Sequence, residues 1–252
     1  MAPNVEGSNP FSHPNLQLMT PITCKSLLFD MDGVLVDSTP AVARVWARWA
    51  RKHNLDPDFA VTAAHGRTSL TSIQELLPHA DPAVHLAENE WMERAEIEDI
   101  DDVIALPGAR ELLSAIPPSQ FAVVTSATRA LAEVRLRAAG LWPHIRHLVT
   151  ASDITRSKPD PEPYLKGAAA LHLPPQFCLV AEDAPSGTRS GKTAGARVLA
   201  LRTTTADAEL LAAGADWIVN DLASLHLDSS AKPGHLSLAL PEHEVPRLPK
   251  MR

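Results

Sequence analysis

The sequence predicts a doubly wound α/β fold, in which a parallel sheet is covered by helices on both faces and carries an inserted α-helical domain. Six apolar runs of about five residues, rich in Val, Leu and Ile, are typical of strands buried on both faces. Helical periods separate most of these runs, and strands that alternate with helices favour a parallel sheet. An interval of about 90 residues between the first two runs has no strand pattern and predicts the insert.

The predicted elements follow one another in chain order. The strand segments are KSLLF (25–29), FAVVTS (121–126), HLVTA (147–151), FCLVA (177–181), RVLAL (197–201) and DWIVN (216–220). The helical periods outside the insert cover 128–139, 161–171, 186–194 and 206–213. Within the insert, Val42, Val45, Trp46 and Trp49 share one face at i, i+3, i+4 and i+7, as in an amphipathic helix.

These patterns divide the chain into four parts. They are a disordered leader (1–22), an α/β core (23–36 and 106–225), a helical cap domain (37–105) and a tail (226–252). The leader is rich in Pro, Asn and Ser and lacks periodicity, which is typical of disorder. The tail is rich in proline, and within it HLSLAL (235–240) alternates as an edge strand does.

The composition argues against several classes of partner. With a formal net charge of −7, the chain lacks the basic surface that nucleic-acid binding requires. No stretch approaches the roughly 20 apolar residues that span a membrane, and the N-terminus lacks the features of a secretory signal. We therefore expect a cytoplasmic protein, with a monomer as the default, in which Cys24 and Cys178 are buried reduced thiols rather than a disulfide.

Polar side chains follow the predicted strands where they end. Ligands of open α/β sheets bind outside the carboxyl ends of the strands, so these side chains are expected to share one site. They are Asp30 and Asp32, Thr125 and Ser126, Lys158, and Glu182 with Asp183. A set of acids with a hydroxyl and a lysine fits phosphoryl transfer.

The acids offer a place for a metal ion. A hard divalent cation prefers oxygen ligands, typically one or two carboxylates together with substrate phosphate and water. Asp30 and Asp183 can supply them, and Glu182 is a third candidate. A cation would also explain why carboxylates that repel one another lie so close together.

The same residues can carry the transfer itself. A carboxylate can attack phosphorus and form an aspartyl phosphate, and Asp32 could protonate the leaving oxygen and then activate water. Lys158 can neutralise the phosphoryl oxygens, while Ser126 and backbone N–H groups orient them. Gly33 lets the backbone turn tightly beside the phosphate.

Four segments carry a resemblance to a known superfamily. DMDGVLVDS (30–38) matches the DxDGxLxDS signature of the haloacid dehalogenase-like superfamily. TSAT (125–128), SKPDPEPY (157–164) and AEDAPSG (181–187) are similar to its hydroxyl, lysine and acidic motifs, in the family's order. The resemblance implies a Rossmann-type core, Asp30 as nucleophile, Asp32 as acid/base and Mg²⁺ as cofactor. The implied metal ligands are Asp30, the Asp32 carbonyl and Asp183, with Glu182 nearby.

The position of the insert resembles the subclass with a helical cap. The shared stretches HGR, PEPYLKG and EDAPSG make the chain similar to glycerol-phosphate and 2-deoxyglucose-6-phosphate phosphatases. In HGR, His65 and Arg67 are expected to contact the substrate, since an arginine can bind a phosphate or hydroxyl in bidentate fashion. The resemblance thus implies a Mg²⁺-dependent phosphatase for a small sugar or polyol phosphate.

Several alternatives stay open at this point. A phosphosugar mutase of the β-phosphoglucomutase type would carry a histidine where this chain has Val42. A dehalogenase would lack Asp32, and a phosphonate hydrolase would need a cap lysine, for which Lys52 is poorly placed. A catalytically silent binding protein could keep the same fold. Asp37 and Ser38 fit helix caps better than catalysis.

Overall fold

The centre of the molecule is a six-stranded parallel sheet. The structure is a computed structural model that describes residues 20–64, 68–228 and 232–240. The strands are β1 (Thr20–Cys24), β2 (Ser26–Phe29), β3 (Val36–Asp37), β4 (Ile104–Ala105), β5 (Phe121–Val124), β6 (Leu148–Val149), β7 (Cys178–Glu182), β8 (Arg197–Leu201), β9 (Trp217–Val219), β10 (His226–Leu227) and β11 (Leu236–Leu240). The central sheet has the order β6, β5, β2, β7, β8, β9, and each pairing in it is parallel. The chain winds outward from β2 in both directions, which confirms the predicted doubly wound fold.

The apolar runs become strands because the sheet buries both of their faces. In β2, Leu27 and Phe29 pack into one hydrophobic cluster, whereas Leu28 packs into a second cluster that includes Tyr164. Successive side chains of a strand point to opposite faces, so the two clusters lie on the two sides of the sheet. This explains why the runs are continuously apolar instead of alternating.

Helices connect the strands. They are α1 (Thr39–Lys52), α2 (Pro57–Ala64), α3 (Ser69–Leu76), α4 (Pro82–Glu98), α5 (Ala109–Ala115), α6 (Arg129–Ala138), α7 (Glu162–Ala170), α8 (Pro185–Thr193) and α9 (Asp207–Ala213). The four helices predicted outside the insert correspond to α6–α9. Thr128 caps α6, since its side chain accepts a hydrogen bond from the Leu131 N–H at 3.4 Å.

Helices α1–α4, which we call the helical segment, occupy most of the predicted insert. Trp46, Trp49, Ile73 and Met92 form a hydrophobic core of their own within it. The short strands β3 and β4 pair antiparallel where the chain enters and leaves this segment. The sequence showed no strand in this interval, because two-residue strands are too short to produce a periodic pattern.

The predicted leader and tail both contain strands within the described residues. Residues 20–22, expected in the leader, begin β1, and β1 pairs antiparallel with β11 of the tail. HLSLAL was expected at a sheet edge, but β11 lies between β1 and β10. Leu236, Leu238 and Leu240 are buried in the main core, and this burial stabilises the strand. The remaining leader and tail residues lie outside the described ranges.

Cys24 and Cys178 are both buried and free, so the predicted reduced thiols are confirmed. Among the described residues, no helix has the length and apolar character needed to cross a membrane.

Candidate active site

The loop after β2 presents Asp30 and Asp32 at the carboxyl edge of the sheet. The Asp30 N–H donates to the Ala181 carbonyl at 2.9 Å and ties the loop to β7. Gly33 follows with a φ of 79°, in the left-handed region that favours glycine. A Cβ at this position would lie 2.0 Å from Asp183 Oδ2, so only glycine lets the loop approach that carboxylate.

Lys158 brings the acids of two strand ends together. Its Nζ donates to Asp30 Oδ1 at 2.8 Å, to Glu182 Oε1 at 2.7 Å and to the Val124 carbonyl at 3.1 Å. The Lys158 side chain is 6% exposed, so these charge-assisted bonds form away from bulk water. The predicted convergence of strand-end side chains is therefore present at β2 and β7, and β5 contributes the Val124 carbonyl to it.

Glu162 fixes the loop that leads to Lys158. Its carboxylate accepts hydrogen bonds from the Thr155 hydroxyl at 2.8 Å, the Thr155 N–H at 3.1 Å and the Arg156 N–H at 3.0 Å. These donors and the Lys166 ammonium favour the charged form, with the Thr155 hydroxyl first and Lys166 second, and they lower the pKa of Glu162 to about 2. The glutamate of PEPYLKG thus has a structural role, because it holds the loop that leads to Lys158.

Glu182 is buried and its acceptor sites are occupied. Oε1 accepts from Lys158 Nζ and from the Tyr164 hydroxyl at 2.6 Å, and Oε2 accepts from the N–H groups of Asp183 at 3.1 Å and Ala184 at 3.3 Å. A Cβ at Gly187 would lie 1.6 Å from Oε1, so this glycine makes room for the carboxylate. A carboxylate has about four lone-pair sites, and here four donors use them.

Burial and mutual repulsion perturb the pKa values of the cluster. Burial raises the pKa of Asp183, and the charges of Glu182 and Asp30 raise it further. Burial also raises the pKa of Asp30, although Lys158 opposes that shift. For Lys158, burial alone lowers the pKa, but the carboxylates of Asp30 and Glu182 outweigh it and raise the value. The site therefore holds more negative charge than its lysine can balance.

This excess charge fits a divalent cation. One oxygen each from Asp30, Glu182 and Asp183 lies within 4.8 Å of the others, and oxygen is the donor that Mg²⁺ prefers. The Thr204 hydroxyl donates to Asp183 Oδ2, which fixes the orientation of that carboxylate. The residues present therefore fit the predicted metal.

We expect Mg²⁺ to raise the unfolding temperature of the wild type and Asp183→Asn to remove most of that increase. A ligand at 100 times its Kd stabilises the folded state by about 2.7 kcal/mol. The measurement is thermal unfolding in EDTA and in excess Mg²⁺. Asp153→Asn is the matched control, since Asp153 caps a turn by accepting from the Thr150 N–H at 2.9 Å. An equal Mg²⁺ response in Asp183→Asn and the wild type would contradict the assignment.

Asp32 is held by two donors outside this cluster. Its Oδ1 accepts from the Ser38 hydroxyl at 2.6 Å, and its Oδ2 accepts from Arg135 Nη1 at 3.0 Å. The expectation that Ser38 caps α1 is wrong, because its side chain makes no capping bond. Asp37 takes that part, accepting from the Thr39 N–H at 2.9 Å. Ser38 instead helps to orient Asp32.

The structure describes Ser126 but not the predicted substrate contacts His65 and Arg67. Ser126 follows β5 and is exposed, whereas its neighbour Thr125 is buried and accepts from the Ala127 N–H at 3.0 Å. Ser126 is thus accessible from solvent, and its contact with a phosphoryl group stays a prediction. His65 and Arg67 lie outside the described residues, so their part in substrate contact stays a prediction.

The comparison with known families decides the relationship. The profile of the haloacid dehalogenase-like hydrolases matches residues 24–195, which include Asp30, Asp32, Lys158, Glu182 and Asp183. The chain belongs to this family. This confirms the family resemblance that the four motifs carry.

Two relatives of this chain are named as phosphate-ester hydrolases. Hexitol phosphatase A of Escherichia coli is 43% identical over 180 residues, which are 71% of this chain and 83% of that protein. Glycerol-1-phosphate phosphohydrolase 2 of Saccharomyces cerevisiae is 32% identical over 215 residues, covering 79% of this chain and 83% of that protein. Both support the prediction that this hydrolase acts on phosphoric monoesters.

A solved structure shows the shared fold. The β-phosphoglucomutase of Clostridium difficile superposes with a TM-score of 0.68 over 81% of this chain and 93% of that one. Its sequence identity is 21%, so this likeness concerns the fold alone.

Four residues of the haloacid dehalogenase-like site were missed from sequence. Tyr164 belongs to the motif PEPYLKG, and Thr204 follows β8, so a closer search of that motif and of every strand end would have found both. Arg135 and its partner Glu96 lie on helices α6 and α4, outside each motif. Nothing in their local sequence distinguishes them from exposed charges.

Proposed function

We propose that the protein is a Mg²⁺-dependent phosphatase that hydrolyses a small sugar or polyol phosphate through an aspartyl phosphate on Asp30. The observation that carries the proposal is the Lys158 ammonium, which contacts Asp30 at 2.8 Å and Glu182 at 2.7 Å beside Asp183. A nucleophilic carboxylate, a buried cation and oxygen ligands for a metal are what phosphoryl transfer requires. The phosphatase relatives favour the same reaction.

In the first step Asp30 attacks the phosphorus of the substrate. A bond forms between a carboxylate oxygen of Asp30 and phosphorus, and the bond from phosphorus to the leaving oxygen breaks. Asp32, two residues along the same loop, gives its proton to that oxygen as it leaves. Lys158 offsets the charge of the phosphoryl oxygens. We assign the exposed Ser126 hydroxyl to their orientation.

In the second step water releases the phosphate. Asp32 takes a proton from the water while the water oxygen attacks phosphorus, and the bond to Asp30 breaks. The products are inorganic phosphate and the regenerated carboxylate of Asp30.

The metal would be held by Asp30, Asp183 and the Asp32 carbonyl. When bound, Mg²⁺ supplies positive charge that offsets these carboxylates and the phosphate oxygens. Glu182 was a further candidate ligand, but four donors already occupy its oxygens. We therefore assign Glu182 to the orientation of Lys158, and it would lie beside the metal.

The substrate class rests on the relatives. The names of the two relatives point to a hexitol phosphate or a glycerol phosphate, both small phosphorylated metabolites. His65 and Arg67 remain the proposed substrate contacts in the cap. A cytoplasmic location and a monomeric state are also proposals.

A panel of hexitol, hexose and glycerol phosphates with Mg²⁺ tests the proposal. The expected result is stoichiometric inorganic phosphate, with the highest kcat/KM for one member of the panel. An isomerised phosphosugar without phosphate release would favour the mutase instead. Val42 packs beside the core of the helical segment and offers no acid/base group, which favours hydrolysis.

A further inference from the structure

A buried charge pair lies behind Asp32 and has no part in the two steps above. Arg135 of α6 donates from Nη1 to Asp32 Oδ2 at 3.0 Å and from Nη2 to Glu96 Oε2 at 3.1 Å. Glu96 belongs to α4, the last helix of the helical segment. One guanidinium therefore joins the loop that carries Asp32 to this segment.

Asp32 is more exposed to solvent than Arg135 and Glu96 are. The Arg135 side chain is 6% exposed and that of Glu96 is 9% exposed, whereas that of Asp32 is 32% exposed. A substrate can therefore reach Asp32, while Arg135 lies on the side away from solvent. A buried guanidinium needs charged partners to offset its desolvation, and its planar fork fixes the direction of both bonds.

Two donors hold the Asp32 carboxylate and still leave it hydrogen-bond acceptor sites. Ser38 donates to Oδ1 at 2.6 Å and Arg135 to Oδ2 at 3.0 Å, one donor to each oxygen. Each carboxylate oxygen has about two acceptor sites, so each keeps one for a leaving group or water. Proton transfer requires a heavy-atom distance of about 2.6–3.2 Å, and a misplacement of about 1 Å costs on the order of 10²-fold in rate.

A second contact fixes α4 against α6 independently of Arg135. The Thr128 hydroxyl at the start of α6 donates to Glu93 Oε1 at 2.5 Å. Glu93 and Glu96 are three residues apart and share a face of α4. Removing one charge of the buried pair therefore leaves a contact between the two helices.

We propose that Arg135 is a positioning residue for Asp32 and that Glu96 fixes the guanidinium, so that the placement of α4 sets the rate of both proton transfers. This rests on the proposed function, in which Asp32 is the acid and base. Arg135 touches neither the substrate nor the phosphoryl group. The pair controls the orientation of the Asp32 carboxylate and leaves substrate binding unchanged.

The leaving group provides the test. p-Nitrophenolate departs without a proton at neutral pH, whereas the alkoxide of a sugar or polyol needs one from Asp32. For Arg135→Gln, the first turnover of p-nitrophenyl phosphate should stay within about twofold of wild type. The first turnover of the best alkyl phosphate from the panel should fall about 10- to 100-fold, with KM within about twofold. Rapid-quench kinetics measure both.

Steady-state turnover provides a second test of the role of Arg135. Because Asp32 also activates water, Arg135→Gln should turn over p-nitrophenyl phosphate more slowly after the first turnover, giving a burst of p-nitrophenolate. Arg137→Gln is the matched control, since Arg137 lies on the same helix and is exposed in a pair with Glu133. It should match the wild type with both substrates.

Glu96→Gln keeps the proposal falsifiable if Arg135→Gln fails to fold. It retains an oxygen for Arg135 and should show the same selective loss, at about 3- to 10-fold. Equal losses in the first turnover of both substrates, or no loss in either, would overturn the proposal while leaving the phosphatase assignment intact. If the wild type shows no turnover beyond that of Asp30→Asn, the proposed function fails and takes this inference with it.

Discussion

Asp30→Asn is expected to lower the rate of phosphate release by at least about 10³-fold, because the amide removes the nucleophile while keeping its shape. The stability of Asp30→Asn, unlike its activity, should not fall. Burial raises the pKa of Asp30 and Lys158 only partly offsets it, so ionisation is less favourable in the folded protein. Without Mg²⁺, the free energy of unfolding of Asp30→Asn should therefore equal or exceed that of the wild type.

The pH dependence of this difference has a definite sign. A carboxyl whose folded pKa is raised binds more protons in the folded state, so its contribution to stability falls as the pH rises above the unfolded value of about 3.9. In EDTA, the excess in free energy of unfolding of Asp30→Asn over the wild type should therefore grow from about pH 5 to about pH 8. Urea unfolding measures this difference. Asp37→Asn, at the end of β3, should retain wild-type activity, since asparagine can still cap α1. Full activity of Asp30→Asn would rule out its assignment as nucleophile.

Lys158→Met is expected to reduce both activity and stability. It removes the charge that pairs with Asp30 and Glu182, and breaking a buried pair typically costs about 3–5 kcal/mol. The loss of a cation from the phosphoryl site should lower kcat by about 10²- to 10³-fold. Chemical unfolding in EDTA and steady-state kinetics measure the two effects.

Lys192→Met is the matched control for Lys158→Met. Lys192 pairs with Asp216 at 2.8 Å, but its side chain is 35% exposed, and pairs in that setting contribute about 0–1 kcal/mol. It should leave activity unchanged and stability close to that of the wild type. A Lys158→Met variant as stable as Lys192→Met would show that the buried carboxylates do not depend on this lysine.

The central sheet could be predicted because burial on both faces leaves a clear pattern. RVLAL (197–201) coincides with β8, and DWIVN (216–220) contains β9. The antiparallel sheet was missed because β1 and β11 lie more than 200 residues apart in sequence. Pairing at that distance depends on tertiary contacts and leaves no local signal.

The candidate site was predictable where chemistry confines residues to strand ends. Asp30, Lys158 and Asp183 belong to motifs whose residue types phosphoryl transfer requires, and the fold brings them to one edge. Arg135 and Glu96 were not predictable, since they lie 39 residues apart on two helices. Their contact depends on how α4 packs against α6. The role of Ser38 was misjudged for a different reason, because the turn after β2 directs its hydroxyl to Asp32 and not to the backbone of α1.

The most direct test of the account is to trap the phosphate on the protein. Acid quenching during turnover of labelled p-nitrophenyl phosphate should leave label that hydroxylamine releases, as expected of an acyl phosphate, on the peptide that contains Asp30. Asp32→Asn should accumulate more of it, since water activation is slowed, and Asp30→Asn should carry none. Label on another residue, or turnover of Asp30→Asn at the wild-type rate, would contradict the account.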